Sequence, residues 1–299
     1  APVPPREPLA WLPEDVSLVG RVSPPALRST PLWSLWELVL KEPAAQGALV
    51  DPQKITRAVF AGSETEEHKI SFVAALSGDF GPSSVDAAAK LAQLPPETLG
   101  LLTFYRRDQV AYAQVYDDLV LVCSLDRVEP LSARASQGDA VKIREGALFH
   151  ALGQRLRWDD VDFVLIGEDP SGRTKARAER QAERVGYSLP LKDLLRAGVA
   201  LKLDDSTAGI LVAAQAPDEA GAAALRTALT DALDSLGNNV LVALVGLRSL
   251  VRALSPRQAE SFVEVSGSLA RDEFNGAMVR LLGLVGIEAA PAGAPEPAP

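Results

Sequence analysis

The chain has 299 residues, a net charge of −9 and a sequence pI of about 4.9, and 47% of its residues are apolar. This length accommodates two domains with hydrophobic cores. The negative charge argues against binding to nucleic acid or to an anionic membrane, because both need a cationic surface. The single cysteine, Cys123, excludes a disulfide framework and a cysteine-based metal site within one chain.

Both ends of the chain are rich in proline and alanine. Residues 1–10 and 288–299 contain little that could form a core, so we expect flexible tails. The chain begins with Ala1 rather than Met, and such tails are common beside the cleavage site of exported bacterial proteins. We therefore expect a periplasmic or extracellular protein whose leader was removed, while a cytoplasmic location stays open. No apolar run reaches the roughly 18 residues that a membrane span needs.

Two similar segments opening on tryptophan predict the first strand of two repeats. Residues 11–20 and 158–167 each start with tryptophan, continue as an apolar run and end with glycine. A helix should follow each strand. Residues 25–41 carry apolar side chains at helical spacing, whereas residues 173–185 are strongly charged and should be exposed.

A second pair of similar segments predicts a β-hairpin in each repeat. Residues 56–79 align without a gap with residues 195–218 and are identical at seven of 24 positions. Each copy is an apolar run, an acidic turn and a second apolar run. The identical pairs are Arg57/Arg196, Ala58/Ala197, Ala61/Ala200, Val73/Val212, Ala74/Ala213, Ala75/Ala214 and Asp79/Asp218. In the first copy, the alternation of Ile70, Phe72, Ala74 and Leu76 predicts that these four side chains face the core.

An alanine-rich helix is predicted after each hairpin, at residues 83–94 and 218–236. The copies then diverge, because residues 99–105 predict a strand whereas residues 240–254 have apolar side chains at helical spacing. Each copy should close with two strands and with helices. The strand pairs are predicted at 111–122, turning at Asp117-Asp118, and at 261–269, turning at Ser266-Gly267. The closing helices are predicted at 126–135, 145–156 and 271–284.

Each copy therefore reads strand, helix, hairpin, helix, strands, helix. This order predicts an α+β fold made by tandem duplication, with largely antiparallel sheets covered by helices. We expect the first repeat at residues 11–145 and the second at residues 146–287.

The stretch Gly167–Thr174 resembles a phosphate-binding P-loop, but Arg173 replaces its lysine. Asp169 would repel phosphate and Pro170 lacks an N–H donor. We therefore interpret the stretch as a polar turn capped by Ser171. His68, in the acidic tip of the first hairpin, fits a solvated turn, and no cofactor or metal site is predicted.

Arg57, Arg196, Asp79 and Asp218 are the charged residues that the two copies share. One interpretation is that each arginine ends a strand and pairs with a nearby acid. The other is that the four residues form a ligand-binding site in the groove between the repeats. No common catalytic motif is present, which favours a protein without enzymatic activity and assigns no catalytic residue.

The residues Leu12–Val16, the apolar strand after them and the segment Ser29–Trp33 resemble a loose class of exported bacterial proteins of unknown function. Those proteins are built from tandem α+β units, and the resemblance implies no activity. We expect a non-catalytic exported binding or structural module, held by protein partners in a cell-envelope or extracellular assembly. The alternative is a small-ligand binder or an enzyme that uses the groove between the repeats.

Overall fold

The computed structural model describes residues 3–35, 37, 48–64, 70–137, 142–184, 188–244 and 246–284. The chain divides into two compact units. The first comprises Ala1–Pro24 and Leu38–His150, and the second comprises Pro25–Glu37 and Ala151–Pro299. The short segment 25–37 therefore belongs with the second unit, although the residues on both sides of it belong to the first.

The first unit is built on a seven-stranded antiparallel arrangement in the order β1-β2-β3-β7-β6-β5-β4. Its strands are β1 (Leu18–Val22), β2 (Ile55–Glu64), β3 (Ile70–Gly78), β4 (Pro96–Leu99), β5 (Leu102–Arg107), β6 (Val110–Tyr116) and β7 (Leu119–Ser124). The α-helices in this part of the sequence are α1 (Pro24–Leu27), α2 (Ser84–Leu91), α3 (Val128–Arg134) and α4 (Ala147–Leu152). Short 3₁₀ helices span Pro8–Trp11, Pro52–Lys54, Leu125–Arg127 and Lys142–Glu145.

The second unit has five antiparallel strands in the order β8-β9-β10-β12-β11. They are β8 (Phe163–Glu168), β9 (Arg196–Leu203), β10 (Thr207–Gln215), β11 (Ser255–Ala259) and β12 (Phe262–Ala270). The helices are α5 (Arg173–Arg184), α6 (Glu219–Asn238), α7 (Val240–Leu244), α8 (Arg248–Ala253) and α9 (Arg271–Leu284). Both outermost strands contain a proline, Pro256 in β11 and Pro96 in β4 of the first unit.

The predicted α+β class with antiparallel strands is confirmed. The two units also share one strand order, which is β1-β2-β3-β7-β6 in the first and β8-β9-β10-β12-β11 in the second. In each unit the opening strand lies beside the hairpin. The last strand of the unit lies between the hairpin and the strand that precedes it in sequence. Strands β4 and β5 are additional in the first unit. Descent of both units from one duplicated ancestor stays a prediction.

Both predicted hairpins are present, but their strands pair in different registers. Ala58 lies opposite Leu76 in the first hairpin, whereas the aligned Ala197 lies opposite Ala214 in the second. The ungapped alignment instead equates Ala214 with Ala75. The registers thus differ by one residue, and a one-residue slip turns every side chain of a strand to the other face. The identities in β3 and β10 are therefore not equivalent in space.

The prediction that Ile70, Phe72, Ala74 and Leu76 face the core is wrong. Ile70 is 73% exposed, whereas Val73 is only 1% exposed and its neighbours Ser71 and Ala75 are buried. The buried face of β3 packs against the 3₁₀ helix Pro8–Trp11, which supplies Leu9, Ala10 and Trp11 to the core. Apolar residues occur on both faces of this strand, so alternation alone does not identify the core side.

Residues 3–10, which were predicted to form a flexible tail, pack against the first unit. The indole Nε1 of Trp11 donates a hydrogen bond to the Pro5 carbonyl at 3.0 Å. The hydroxyl of Tyr116 donates to the Pro4 carbonyl at 2.6 Å. The Arg6 guanidinium lies 4.4 Å from the centre of the Tyr116 ring. The second predicted tail, residues 288–299, lies outside the described residues.

Two predictions in the second unit are wrong. Residues 261–269 do not turn at Ser266-Gly267, since Phe262–Ala270 is one strand and the turn falls at Glu260, whose φ is 55°. The glycine serves a close approach instead, because a Cβ on Gly267 would lie 2.6 Å from the Ala253 carbonyl oxygen. The helix predicted over residues 240–254 is two helices, α7 and α8, with Gly246 at a φ of 69° between them.

The alanine-rich helices after the hairpins are confirmed as α2 and α6. The side chain of Asp218 accepts a hydrogen bond from the Gly221 N–H at 2.7 Å and so caps α6. The charged helix predicted at 173–185 is confirmed as α5. The helix predicted at 25–41 is interrupted after α1, and residues 36 and 38–41 lie outside the described residues.

Candidate functional site

The four predicted site residues have separate roles within their own units. Arg57 lies on β2 opposite Ser77, and its Nε is buried without a hydrogen-bond partner among the described residues. Asp79 follows β3, and its N–H donates to the Lys54 carbonyl. In the second unit, Arg196 lies directly opposite Glu168 and forms an ion pair with it at 3.9 Å. Asp218 caps α6, as described above. The assignment of ligand binding to these residues stays a prediction.

The loop that resembles a P-loop is organised by its own carboxylate. Asp169 accepts hydrogen bonds from the Ser171 hydroxyl at 2.8 Å and from the Lys175 N–H at 2.9 Å. Partial burial opposes the charge of Asp169, but these donors outweigh it and hold the pKa of the carboxyl below its usual value. The Asp169 carboxylate thus uses an N–H group that a bound phosphate would need. Ser171 accepts from the Arg173 N–H at 3.3 Å, as the predicted cap requires.

A polar cluster that the sequence analysis missed joins β3 to the 3₁₀ helix Leu125–Arg127. The Ser71 hydroxyl donates to the Asp126 carboxylate at 2.5 Å and accepts from the Arg127 Nε at 2.7 Å. Arg127 also lies 3.9 Å from the Asp15 carboxylate. Burial opposes the charge of Asp126, but its hydrogen bonds from Ser124 and Ser71 hold its pKa below the usual value. Because Ser71 is buried and both of its hydrogen-bonding roles are used, this cluster fastens the sheet rather than forming a nucleophilic site.

An open apolar groove lies on the other face of the same hairpin. Leu18, Gly62 and Phe72 are neighbours across β1, β2 and β3 in one row of the sheet. Gly62 has no side chain, so a depression remains between Leu18 and Phe72, whose backbones are about 10 Å apart at two strand spacings. Phe60 closes one end of the groove, and Ile70 stands at the other.

The groove has a volume of about 640 Å³ and is mainly apolar. Its lining residues are Ser17, Leu18, Phe60, Ala61, Gly62, Ser63, Glu64, Ile70 and Phe72. Among the described residues of this lining, Glu64 alone is ionisable. Leu18 is 38% exposed and Ile70 is 73% exposed, so apolar surface is presented to solvent here. This site was not predicted from the sequence, because it depends on the register that places Gly62 between two large side chains.

Two glycines shape this groove, Gly20 beneath Phe60 at one end and Gly62 in the floor. The ring of Phe60 lies over Gly20, where a Cβ would come within 2.3 Å of the ring. A Cβ on Gly62 would lie 2.9 Å from the Ser71 carbonyl oxygen. The groove therefore depends on backbone positions that a larger residue would disturb.

A second depression, of about 650 Å³, lies on helix α6 and is lined by small and polar side chains. Its residues are Ser188, Ala223, Ala224, Thr227, Ala228, Asp231, Ala232 and Ser235. This depression offers a partner less apolar area to bury than the groove does, because its side chains are small.

The described part of the chain was also compared with what a reactive cysteine, a metal site or a membrane-spanning helix would require. Burial raises the pKa of the Cys123 thiol to about 12, so this cysteine is a small buried hydrophobe. No group of three His, Cys, Asp or Glu side chains is placed to hold a metal ion among the described residues. Within the same ranges, every helix is too short or too polar to cross a membrane.

Comparison with known proteins identifies the fold alone. No protein-family model and no curated protein matches this chain. Among solved structures, crystal forms I, III and IV of TP0453 superpose on it with TM-scores of 0.51, 0.52 and 0.53. Sequence identity is 10% in each case, and the matches cover 92–93% of this chain and 96–98% of TP0453. A likeness at this identity supports a shared fold and assigns no residue a role.

Proposed function

We propose that this chain is a non-catalytic binding module that holds an amphipathic helix of a protein partner in the groove of its first unit. The observation that carries the proposal is the row formed by Leu18, Gly62 and Phe72. No described residue covers this row in the first unit, whereas its counterpart in the second unit is covered by a helix of the same chain.

The counterpart row consists of Phe163, Leu201 and Ile210, which are neighbours across β8, β9 and β10. The repeat alignment equates Leu201 with Gly62. Leu201 packs in one apolar cluster with Phe274 and Met278 of α9, and Phe163 and Ile210 pack against the same cluster. The first unit therefore has a surface of the kind that α9 covers in the second.

The chemistry of the partner follows from this comparison. Helix α9 places Phe274, Ala277 and Met278 toward the sheet at i, i+3 and i+4. A partner helix with an aromatic residue and two apolar residues at this spacing would fill the space above Gly62, in the manner of other helix-in-groove complexes. Glu64 beside the groove and the net charge of −9 favour a basic residue next to the apolar ones.

A defined library tests this assignment. Helical peptides with varied apolar residues at i, i+3 and i+4 are displayed and selected on the purified full chain. Selected peptides are then measured by fluorescence anisotropy against Ile70→Asp and Leu91→Asp. Ile70 is in the groove, whereas Leu91 is 88% exposed on α2 outside it and serves as the matched control. We expect Ile70→Asp to weaken binding about tenfold or more, and Leu91→Asp to leave it unchanged.

Three results would overturn the groove assignment. One is the absence of any selected helix. Another is that Ile70→Asp and Leu91→Asp bind the selected peptides with equal affinity. The third is binding that arises only when residues 36 and 38–47 are deleted, which would assign the groove to this chain itself.

The proposed setting is a larger assembly in the cell envelope or outside the cell. The resemblance carried by Leu12–Val16 and Ser29–Trp33 supports this setting. Expressing the gene with its native upstream codons and fractionating the cells tests it. We expect the protein in the periplasmic or extracellular fraction, and recovery from the cytoplasm alone would contradict the proposal.

A second candidate function is small-ligand binding at Arg57 with Asp79, or at Arg196 with Asp218. The observation in its favour is the Nε of Arg57, which is buried without a hydrogen-bond partner among the described residues. Thermal-shift screening against nucleotides, metal ions and metabolites tests it, since a ligand at about 100 times its Kd adds about 2.7 kcal/mol of stability. A shift that Arg57→Ala or Arg196→Ala abolishes would establish this candidate.

A further inference from the structure

Helix α5 carries an exposed stripe of four arginines in a chain that is otherwise acidic. Five basic and two acidic residues lie between Arg173 and Arg184, whereas the whole chain has a net charge of −9. Arg173, Arg177, Arg180 and Arg184 are all exposed. At about 100° per residue, their spacing of four, three and four places them within one narrow strip along the helix. We refer to these four residues as the arginine stripe.

The opposite side of α5 holds the helix in place. Lys175 donates through Nζ to the Leu194 carbonyl at 2.8 Å. Glu179 accepts from the Lys192 N–H at 2.6 Å. The first turn is capped by Asp169, which accepts from the Lys175 N–H. The anchoring side chains are therefore those that face the following segment, and the arginine stripe contributes nothing to this attachment.

Among the described residues the arginine stripe has no ion-pair partner, and its like charges oppose one another. Within the described residues, none of its four guanidinium groups forms an ion pair or a hydrogen bond. Arg173 and Arg177, and likewise Arg180 and Arg184, are four residues apart, where like charges destabilise a helix. Like charges that oppose helix formation and make no contact with the described residues are what a surface for an external partner would show.

We infer that the arginine stripe is a docking surface for an acidic helix of a protein partner. The spacing of four, three and four matches the seam along which two helices run side by side. A helix with carboxylates at the same spacing can therefore meet all four arginines. The planar guanidinium fork pairs with a carboxylate through two parallel hydrogen bonds, which gives specificity as well as attraction.

Two other anionic partners fit the stripe less well. A membrane-surface helix presents large apolar residues beside its basic ones, and alanine is the largest apolar residue that α5 contains. Nucleic acid carries far more negative charge than a helix with four carboxylates, so it would meet more repulsion from a chain with a net charge of −9. This surface is distinct in residues and in chemistry from the apolar groove, so its test stands independently of the proposed function.

The probe is a synthetic helix with four glutamates at the spacing of the stripe. A second peptide of the same composition distributes the glutamates around the helix. Both are titrated by fluorescence anisotropy into the full chain, into R177Q/R180Q and into R226Q/R257Q. The last variant removes two exposed arginines elsewhere and is the charge-matched control. Vesicles of phosphatidylglycerol with phosphatidylcholine and a single-stranded oligonucleotide are titrated in parallel.

We expect the patterned peptide to bind R177Q/R180Q about tenfold more weakly than the unmodified chain, while R226Q/R257Q keeps its affinity. R177K/R180K should fall between them, because lysine keeps the charge and loses the fork. The inference is overturned if both glutamine variants lose affinity equally, if the redistributed peptide binds as tightly, or if vesicles or oligonucleotide bind more tightly than the patterned peptide.

Discussion

The two units share one strand order, but the same place on their hairpins has opposite surroundings. In the second unit, Leu201 is covered by Phe274 of α9. In the first unit, Gly62 leaves an open groove. Strand order is maintained by backbone pairing, which many side chains satisfy, whereas a surface depends on the residue at one register position. Two units can therefore keep one fold while one presents a closed core and the other a binding surface.

The first prediction, with the largest expected effect, contrasts the covered row with the open one. Phe274 is 1% exposed, so Phe274→Ala should cost about 3 to 5 kcal/mol through lost burial and the cavity left behind. Ile70→Ala, in the groove, should change stability by less than about 0.5 kcal/mol. Urea unfolding followed by circular dichroism measures both. Similar losses for the two variants would mean that the groove is as well packed as the core.

The second prediction compares two glycines within the hairpins. Gly62→Ala should cost about 1 to 3 kcal/mol, because its Cβ would have to push against the backbone of the neighbouring strand. At Gly209 of β10, a Cβ would lie at an ordinary 3.8 Å from the Lys202 Cβ. Gly209→Ala should therefore stabilise the fold by about 0.5 to 1 kcal/mol, since glycine is unfavourable within a strand. A stable Gly62→Ala variant with the groove intact would contradict the description of the groove floor.

The third prediction, with the smallest effect, concerns the polar cluster of the first unit. The pKa of Asp126 lies below its usual 3.8, so its charge stabilises the fold above about pH 4 and this contribution is lost as pH falls through the folded pKa. The Asp126 side chain is 56% exposed, which limits the effect to about 1 kcal/mol or less.

Asp126→Asn tests this by chemical denaturation at neutral pH and near pH 3. The variant should be less stable than the unmodified chain at neutral pH, and the difference should shrink at the lower pH. A difference that stays constant across this range would show that the loss comes from packing and not from the carboxylate charge.

The sequence predicted the elements better than it predicted their surfaces. The hairpins and the turn at Asp117-Asp118 were identified because apolar runs bounded by polar turns reflect local backbone preferences. Ser266-Gly267 looked equally like a turn, yet Gly267 lies within β12 where the Ala253 backbone comes close. A small residue that permits a turn also permits close packing, and only the tertiary structure distinguishes the two.

The candidate site lay beyond sequence reasoning for a related reason. The groove depends on Leu18 and Phe72 lying on either side of Gly62, and this alignment of three strands is a long-range property. The arginine stripe is different, because its spacing can be read from residues 173–184 alone. The charge and exposure of that helix were predicted, whereas the stripe itself follows only from the angular positions of the arginines around the helix.

The prolines in the outermost strands have a consequence for how copies of this chain behave when crowded. Proline has no N–H group, so Pro96 in β4 and Pro256 in β11 each remove a donor that an incoming strand would pair with. Growth of one sheet onto another is therefore disfavoured at both strands. Copies of this chain are thus less prone to join edge to edge at these strands, and contacts between them rest more on side chains.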